Sequence, residues 1–130
     1  MMSLPVTTWL VAGLAVLFLV LTARVIQFRI AGKVSLGDGG DPILHRVIRA
    51  QGNLVETAPF FILLVFLAEL QSPATWLLGV LSGLFLVGRV MHGFCLAFLK
   101  SNMPLRTGGM LLTLLPMAAM IVVDLAIVLR

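Results

Sequence analysis

The stretch HRVIRAQGNLVETAPFFILLVF, residues 45–66, reads as a helix entering a membrane, yet Arg46, Arg49, Asn53 and Glu56 come before its apolar run takes over. The sequence around it is just as apolar. Of 130 residues, 61% are hydrophobic and 11% charged, and the mean hydropathy is +1.16. A soluble domain of this length cannot bury so much apolar side chain. The class is therefore an integral membrane protein. The net charge of +4 does not point to nucleic acid, because the basic residues fall between apolar segments rather than in a run.

Four segments are long enough to span: Leu4 to Ala23, Ile43 to Leu70, Pro73 to Leu99 and Leu105 to Leu129. A spanning helix needs roughly 20 apolar residues. These runs do not alternate as barrel strands do, so the expected fold is all-α, a four-helix transmembrane bundle forming one domain over residues 1–130. In GDGGDP, residues 37–42, Asp41 is placed to cap the second helix with Pro42 at its first position. Ser72–Pro73 repeats that signal, and SNMP at 101–104 separates the last two helices. Pro59 and Pro116 lie within helices and are expected to kink them. With no basic residue ahead of it, the first apolar run is read as a retained helix rather than a cleaved signal. Cys95 stands alone in an apolar segment, so it forms no intrachain disulfide and is expected to pack.

Charge gives an expected orientation. Arg24, Arg29, Lys33, Arg46 and Arg49 cluster around the first loop, Lys100 and Arg106 around the third, and the second connection has no basic residue. By the positive-inside rule, loops one and three face the cytoplasm and both termini face out. Trp9 and Trp76 then share the outer interface, and Arg130 is the one basic residue on the other side.

At about 100° per residue, Arg46, Arg49, Asn53 and Glu56 fall within an arc of about 80°, running about 15 Å along the helix. Arg89 and His92 repeat the pattern one turn apart on the third helix, Arg29 lies at the end of the first and Arg106 at the start of the fourth. A charge in hydrocarbon costs about 2.5–3.5 kcal/mol on insertion scales, so these groups must face partners or water. One reading is that Glu56 pairs with arginines and the stripe only holds the bundle together, with Arg46 and Arg49 snorkelling to headgroups. The other is a ligand site. Arg29, Arg46, Arg49, Arg89 and Arg106 have only Glu56 among them, with Asp38 and Asp41 in the loop. Surplus arginines with one carboxylate suit a small anion that also carries an amine.

RVIRAQGNLVETAPF resembles the signature of the MAPEG family, the membrane-associated proteins in eicosanoid and glutathione metabolism. The family motif Arg-Ala-x-x-Asn-x-x-Glu, followed by Pro-Phe or Pro-Leu, is met by Arg49, Ala50, Asn53, Glu56, Pro59 and Phe60. VSLGDGG at 34–40, GRVMH at 88–92 and LRTGGMLLT at 105–113 are similar to the bacterial branch, so the resemblance covers nearly the whole chain. It implies a homotrimer in the bacterial inner membrane, with glutathione bound in a cytoplasm-facing cleft between subunits. Glutathione is a zwitterionic anion of the kind just described. Carried over, Arg29, Arg49, Asn53, Glu56 and His92 would bind it, with Glu56 meeting the γ-glutamyl ammonium. Arg106 matches the helix-four arginine held to stabilise the thiolate, and Thr107 a serine that assists in one member. The chain departs from the pattern in having no tyrosine; His92 and Leu96 stand where several members place one.

The implied function is a glutathione transferase or peroxidase acting on a lipophilic substrate drawn from membrane lipid. The rival is a glutathione- or anion-binding membrane protein without catalysis, or a small transporter; no repeat of broken helices supports transport. Asp38 and Asp41 are too few for a calcium loop, and His92 lacks companion metal ligands.

Overall fold

The computed structural model describes residues 3–71, 74–100 and 102–129. Among them the chain is four α-helices: α1 Pro5–Gly32, α2 Pro42–Leu70, α3 Thr75–Phe98 and α4 Met103–Val128. Each is long and apolar enough to cross a membrane. Ser72, Pro73 and Arg130 lie outside the described residues, as does Ser101 of the SNMP turn.

The helix starts follow from local chemistry. Asp41 accepts a hydrogen bond from the Ile43 N–H at 2.7 Å, with Pro42 next, as the sequence predicts. Asn102 does the same for α4, accepting from Leu105 N–H at 2.9 Å. The glycine turn between α1 and α2 is folded on Asp38, which accepts from Gly40 N–H at 3.0 Å and contacts His45 Nδ1 at 2.7 Å. Gly39 is obligatory there: φ is +59°, and an added Cβ would come within 2.7 Å of Val34.

α1 runs past its charge-free stretch to Gly32, with Arg29 in its last turn as the sequence places it. Arg24 does not stop it, because its guanidinium lies over the Phe28 and Phe98 rings at 4.7 and 4.9 Å and its Nε donates to Ala97 O. The helix closes beyond Gly32, where Val34 N–H bonds Arg29 O and Lys33 N–H bonds Ile30 O around a left-handed Lys33.

The interior is layered along the bundle. Leu10, Leu14 and Leu21 of α1, Leu54, Phe61 and Val65 of α2, Leu78 and Phe85 of α3 and Met120 of α4 are buried. Phe61 and Phe85 stack in parallel with centroids 3.9 Å apart, joining α2 to α3. Outward faces carry Val16, Leu19, Leu115 and Val122, the inverse of a soluble bundle. α3 and α4 meet most closely at Gly88 and Gly109: a Cβ on Gly88 would stand 2.9 Å from Gly109 O, and one on Gly109 2.8 Å from His92 N. Small residues let membrane helices approach this closely.

Candidate functional site

The polar stripe of α2 is organised by one ion pair. Arg49 donates from Nη1 to Glu56 Oε1 at 3.1 Å and from Nη2 to Glu56 Oε2 at 3.2 Å. The pair spans two helical turns over Gly52, where an added Cβ would lie 3.4 Å from Arg49 Nη1 and 3.7 Å from Glu56 Oε1. Gly52 thus supplies the floor on which the two side chains lie flat, a role the sequence reading missed. Asn53, between them, donates from Nδ2 to Arg49 O at 2.9 Å.

Both ends of the pair are open: the Arg49 and Glu56 side chains are 46% and 56% exposed. Glu56 nevertheless stands midway along α2. A bidentate pair confined to one helix ties no two helices together, so it does nothing to hold the bundle. That argues against the purely structural reading of the stripe.

Arg46 leaves the stripe. Its Nη1 donates to Lys100 O at 2.6 Å and its Nη2 to Leu99 O, with Cys95 O at 3.4 Å. With Arg24 on Ala97 O, it closes the C-terminus of α3, where Leu99 is extended and cations favour the helix dipole. The surplus of cations expected around Glu56 is therefore smaller than the sequence suggests. Arg49 is paired, Arg46 is spent on carbonyls, and Arg89 is buried elsewhere.

Arg29 and Arg106 remain at the surface. Arg29 donates from Nη1 to Ser35 O at 3.1 Å in its own turn. Arg106 is exposed in the opening turns of α4, where Asn102 caps the helix and no acidic residue occupies the first turn. A cation at a helix N-terminus opposes the dipole of its own helix, yet the two together attract an anion. Among the described residues no hydrogen bond joins Arg29 or Arg106 to Arg49, Asn53 or Glu56. Thr107 beside Arg106 is exposed, and Leu96 is half-buried.

His92 is buried between α3 and α4 and touches Arg89, not the stripe. An apolar groove of about 260 Å³ lies between α1 and α2, lined by Phe18, Val55, Pro59 and Ile62 among others, so it runs alongside the helix turn that carries Glu56.

Glu69 was not anticipated as a functional or structural group. It is buried at the far end of α2, and its two carboxylate oxygens accept from Val6 and Thr7 N–H at 2.8 Å each. It caps α1, whose own N-cap residue, Leu4, has no side-chain acceptor.

A profile of the MAPEG family matches residues 6–126. The inner membrane protein YecN of Escherichia coli K12, and the same protein of Escherichia coli O6:H1, are each 35% identical to the chain over 78 residues. That match spans 60% of this chain and 60% of each relative. Four membrane-length helices, the α2 motif and a family match running through all of them lead to one assignment: the chain is an integral membrane protein that belongs to the MAPEG family.

Proposed function

We propose that the protein binds glutathione on the Arg49–Asn53–Glu56 face of α2 and activates it as a transferase or peroxidase toward lipophilic molecules. The observation that carries this reading is the exposed Arg49–Glu56 pair at mid-helix. A zwitterion can replace each member of such a pair with its opposite charge. Glu56 would take the γ-glutamyl ammonium, while Arg49, with Arg29, would take the carboxylates. Asn53 adds an amide that suits peptide groups. Membership of a family named for glutathione metabolism supports the same ligand.

Glutathione supplies a thiol whose thiolate is the nucleophile toward electrophiles and the reductant toward hydroperoxides. The contribution assigned to the protein is to favour that ionised form. A free thiol titrates near about 8.5, and the Arg106 guanidinium, reinforced by the α4 N-terminus, would lower this in a dry cleft. The apolar groove beside Val55 and Pro59 offers a lipophilic partner a route from the bilayer.

Charges at mid-span cannot face hydrocarbon, so this face of α2 needs cover. In this reading a second copy of the chain provides it, and the family resemblance supports a homotrimer with the site at the subunit boundary. The basic loops support a site that faces the cytoplasm, and the YecN relatives support a bacterial inner membrane.

Calorimetry of the detergent-purified protein with glutathione tests the proposal. Saturable binding that Glu56→Gln weakens is expected; no binding to the wild-type protein would overturn it.

A further inference from the structure

Arg89 has no place in the site described so far. It is 1% exposed, yet among the described residues no carboxylate pairs with it. Its Nη1 reaches Thr113 Oγ1 at 3.4 Å and its Nη2 lies 3.3 Å from His92 Nδ1, while Nε is buried without a partner. Thr113 is itself committed, donating to Gly109 O at 2.7 Å. Among the described residues this buried cation is held by a hydroxyl and an imidazole, without the opposite charge that burial calls for. The contact bears on the state of the imidazole.

We propose that Arg89 is a positioning residue that fixes His92 in its Nε2–H tautomer, so that α3 presents one oriented N–H donor to an anion held beside Arg106. A guanidinium has only donors. At 3.3 Å, an N–H on His92 Nδ1 would set two donors against each other. Nδ1 must accept, and the ring's proton sits on Nε2, at the edge turned away from Arg89. An amide in place of Arg89 could flip and permit either tautomer; a guanidinium cannot.

The ring's location gives the fixed donor a use. α4 closes on His92 at Gly109, where an added Cβ would lie 2.8 Å from His92 N and 3.0 Å from its Cβ. Arg106 stands one helical turn earlier on α4. The His92 backbone and the turn that carries Arg106 thus meet at one corner of the α3–α4 contact. Two donors there suit a thiolate or carboxylate better than one. The use of the donor rests on the glutathione reading given above; the tautomer itself does not.

The test is long-range proton–nitrogen correlation on the detergent-solubilised full chain labelled with 15N-histidine, with His45→Gln removing the only other histidine. Without glutathione, His92 should show a bare Nδ1 and a protonated Nε2. Arg89→Lys, which keeps a donor-only group, should retain that pattern. Arg89→Met should give exchange-averaged ring nitrogens. A wild-type ring that is averaged, doubly protonated or protonated on Nδ1 would overturn the proposal, as would an unchanged spectrum in Arg89→Met. Should Arg89→Met not fold, the wild-type and Arg89→Lys spectra decide alone. Added glutathione should then move the Nε2 resonance. A fixed tautomer that no glutathione perturbs would uphold the positioning role and count against the function proposed for the site.

Discussion

Glu56 and Glu69 are the same residue on the same helix, and they do opposite things. Glu69 is buried, and both its oxygens are spent on the N–H groups of Val6 and Thr7. Glu56 is more than half exposed at mid-helix, held by one arginine from its own helix. Glu69 joins two elements and could not be released without leaving two backbone donors bare. Glu56 joins no second helix, and its exposed pair leaves it open to the ligand proposed above. A carboxylate in a membrane bundle is structural when its acceptors are used up by other elements. It is available for binding when they are not.

The contrast is broken most sharply at Glu69. Glu69→Ala removes two charge-assisted hydrogen bonds from a buried helix terminus, each worth about 1.5–3 kcal/mol. Stability in detergent, followed by SDS-induced unfolding, should fall by about 3 kcal/mol or more. Glutathione affinity of the folded fraction should not change. Gly88→Ala is the packing counterpart: its methyl would meet the Leu112 backbone at 2.8 Å, and overpacking of this kind costs about 1–3 kcal/mol. A wild-type unfolding curve for either variant would mean that these contacts do not hold the bundle.

Glu56→Gln should show the reverse. It keeps the shape and removes the charge offered to an ammonium. Loss of a charged hydrogen bond predicts glutathione binding weaker by about tenfold or more. The unfolding midpoint should barely move, since exposed pairs contribute about 0–1 kcal/mol. A large loss of stability with unchanged affinity would return Glu56 to the structural class. Arg106→Leu sharpens the division further. Glutathione should remain bound while its thiol, followed by thiolate absorbance against pH, titrates closer to the free value of about 8.5. An unchanged titration would remove Arg106 from that role and make the Arg89-oriented His92 the next candidate.

The residues that separate the two carboxylates were unequally legible. The four spans follow from long apolar runs, and the start of α2 from Asp41 and Pro42, because each depends on neighbours in sequence. The α2 stripe follows from helical periodicity alone. Glu69 was invisible for the opposite reason: its partners lie 63 and 62 positions away, and nothing near it in sequence marks a cap. Arg46 was misread on the same ground. Its angular position on α2 is that of a stripe residue, but its length lets it reach the carbonyls that end α3. The place of Arg29 at the end of α1 was legible, but how Arg24 is held within the helix, over the Phe28 and Phe98 rings, was not. Gly88 and Gly109 read as ordinary glycines until the helices that cross there are known.

The smallest expected effect belongs to a third carboxylate, Asp38, which tests the rule outside the membrane. Its oxygens are engaged, as Glu69's are, but in an exposed turn. The Gly40 N–H and then His45 hold its carboxyl below the ordinary value of 3.8. A carboxyl whose folded pKa is lowered binds its proton more weakly in the folded than in the unfolded chain. Its contribution is therefore complete above about pH 4 and lost as pH falls through the folded value. Because the group is solvated, the loss should be local. Backbone amides of residues 37–41 should gain hydrogen exchange in acid while the helices stay protected. Asp38→Asn, which cannot ionise, should remove that pH dependence while leaving glutathione affinity and the unfolding midpoint at neutral pH near wild type. If Asp38→Asn instead unfolded the bundle as Glu69→Ala is expected to, engagement by hydrogen bonds alone would decide a carboxylate's structural weight. If it changes only the turn, burial is the deciding factor, and the exposure of Glu56 is what frees it to bind.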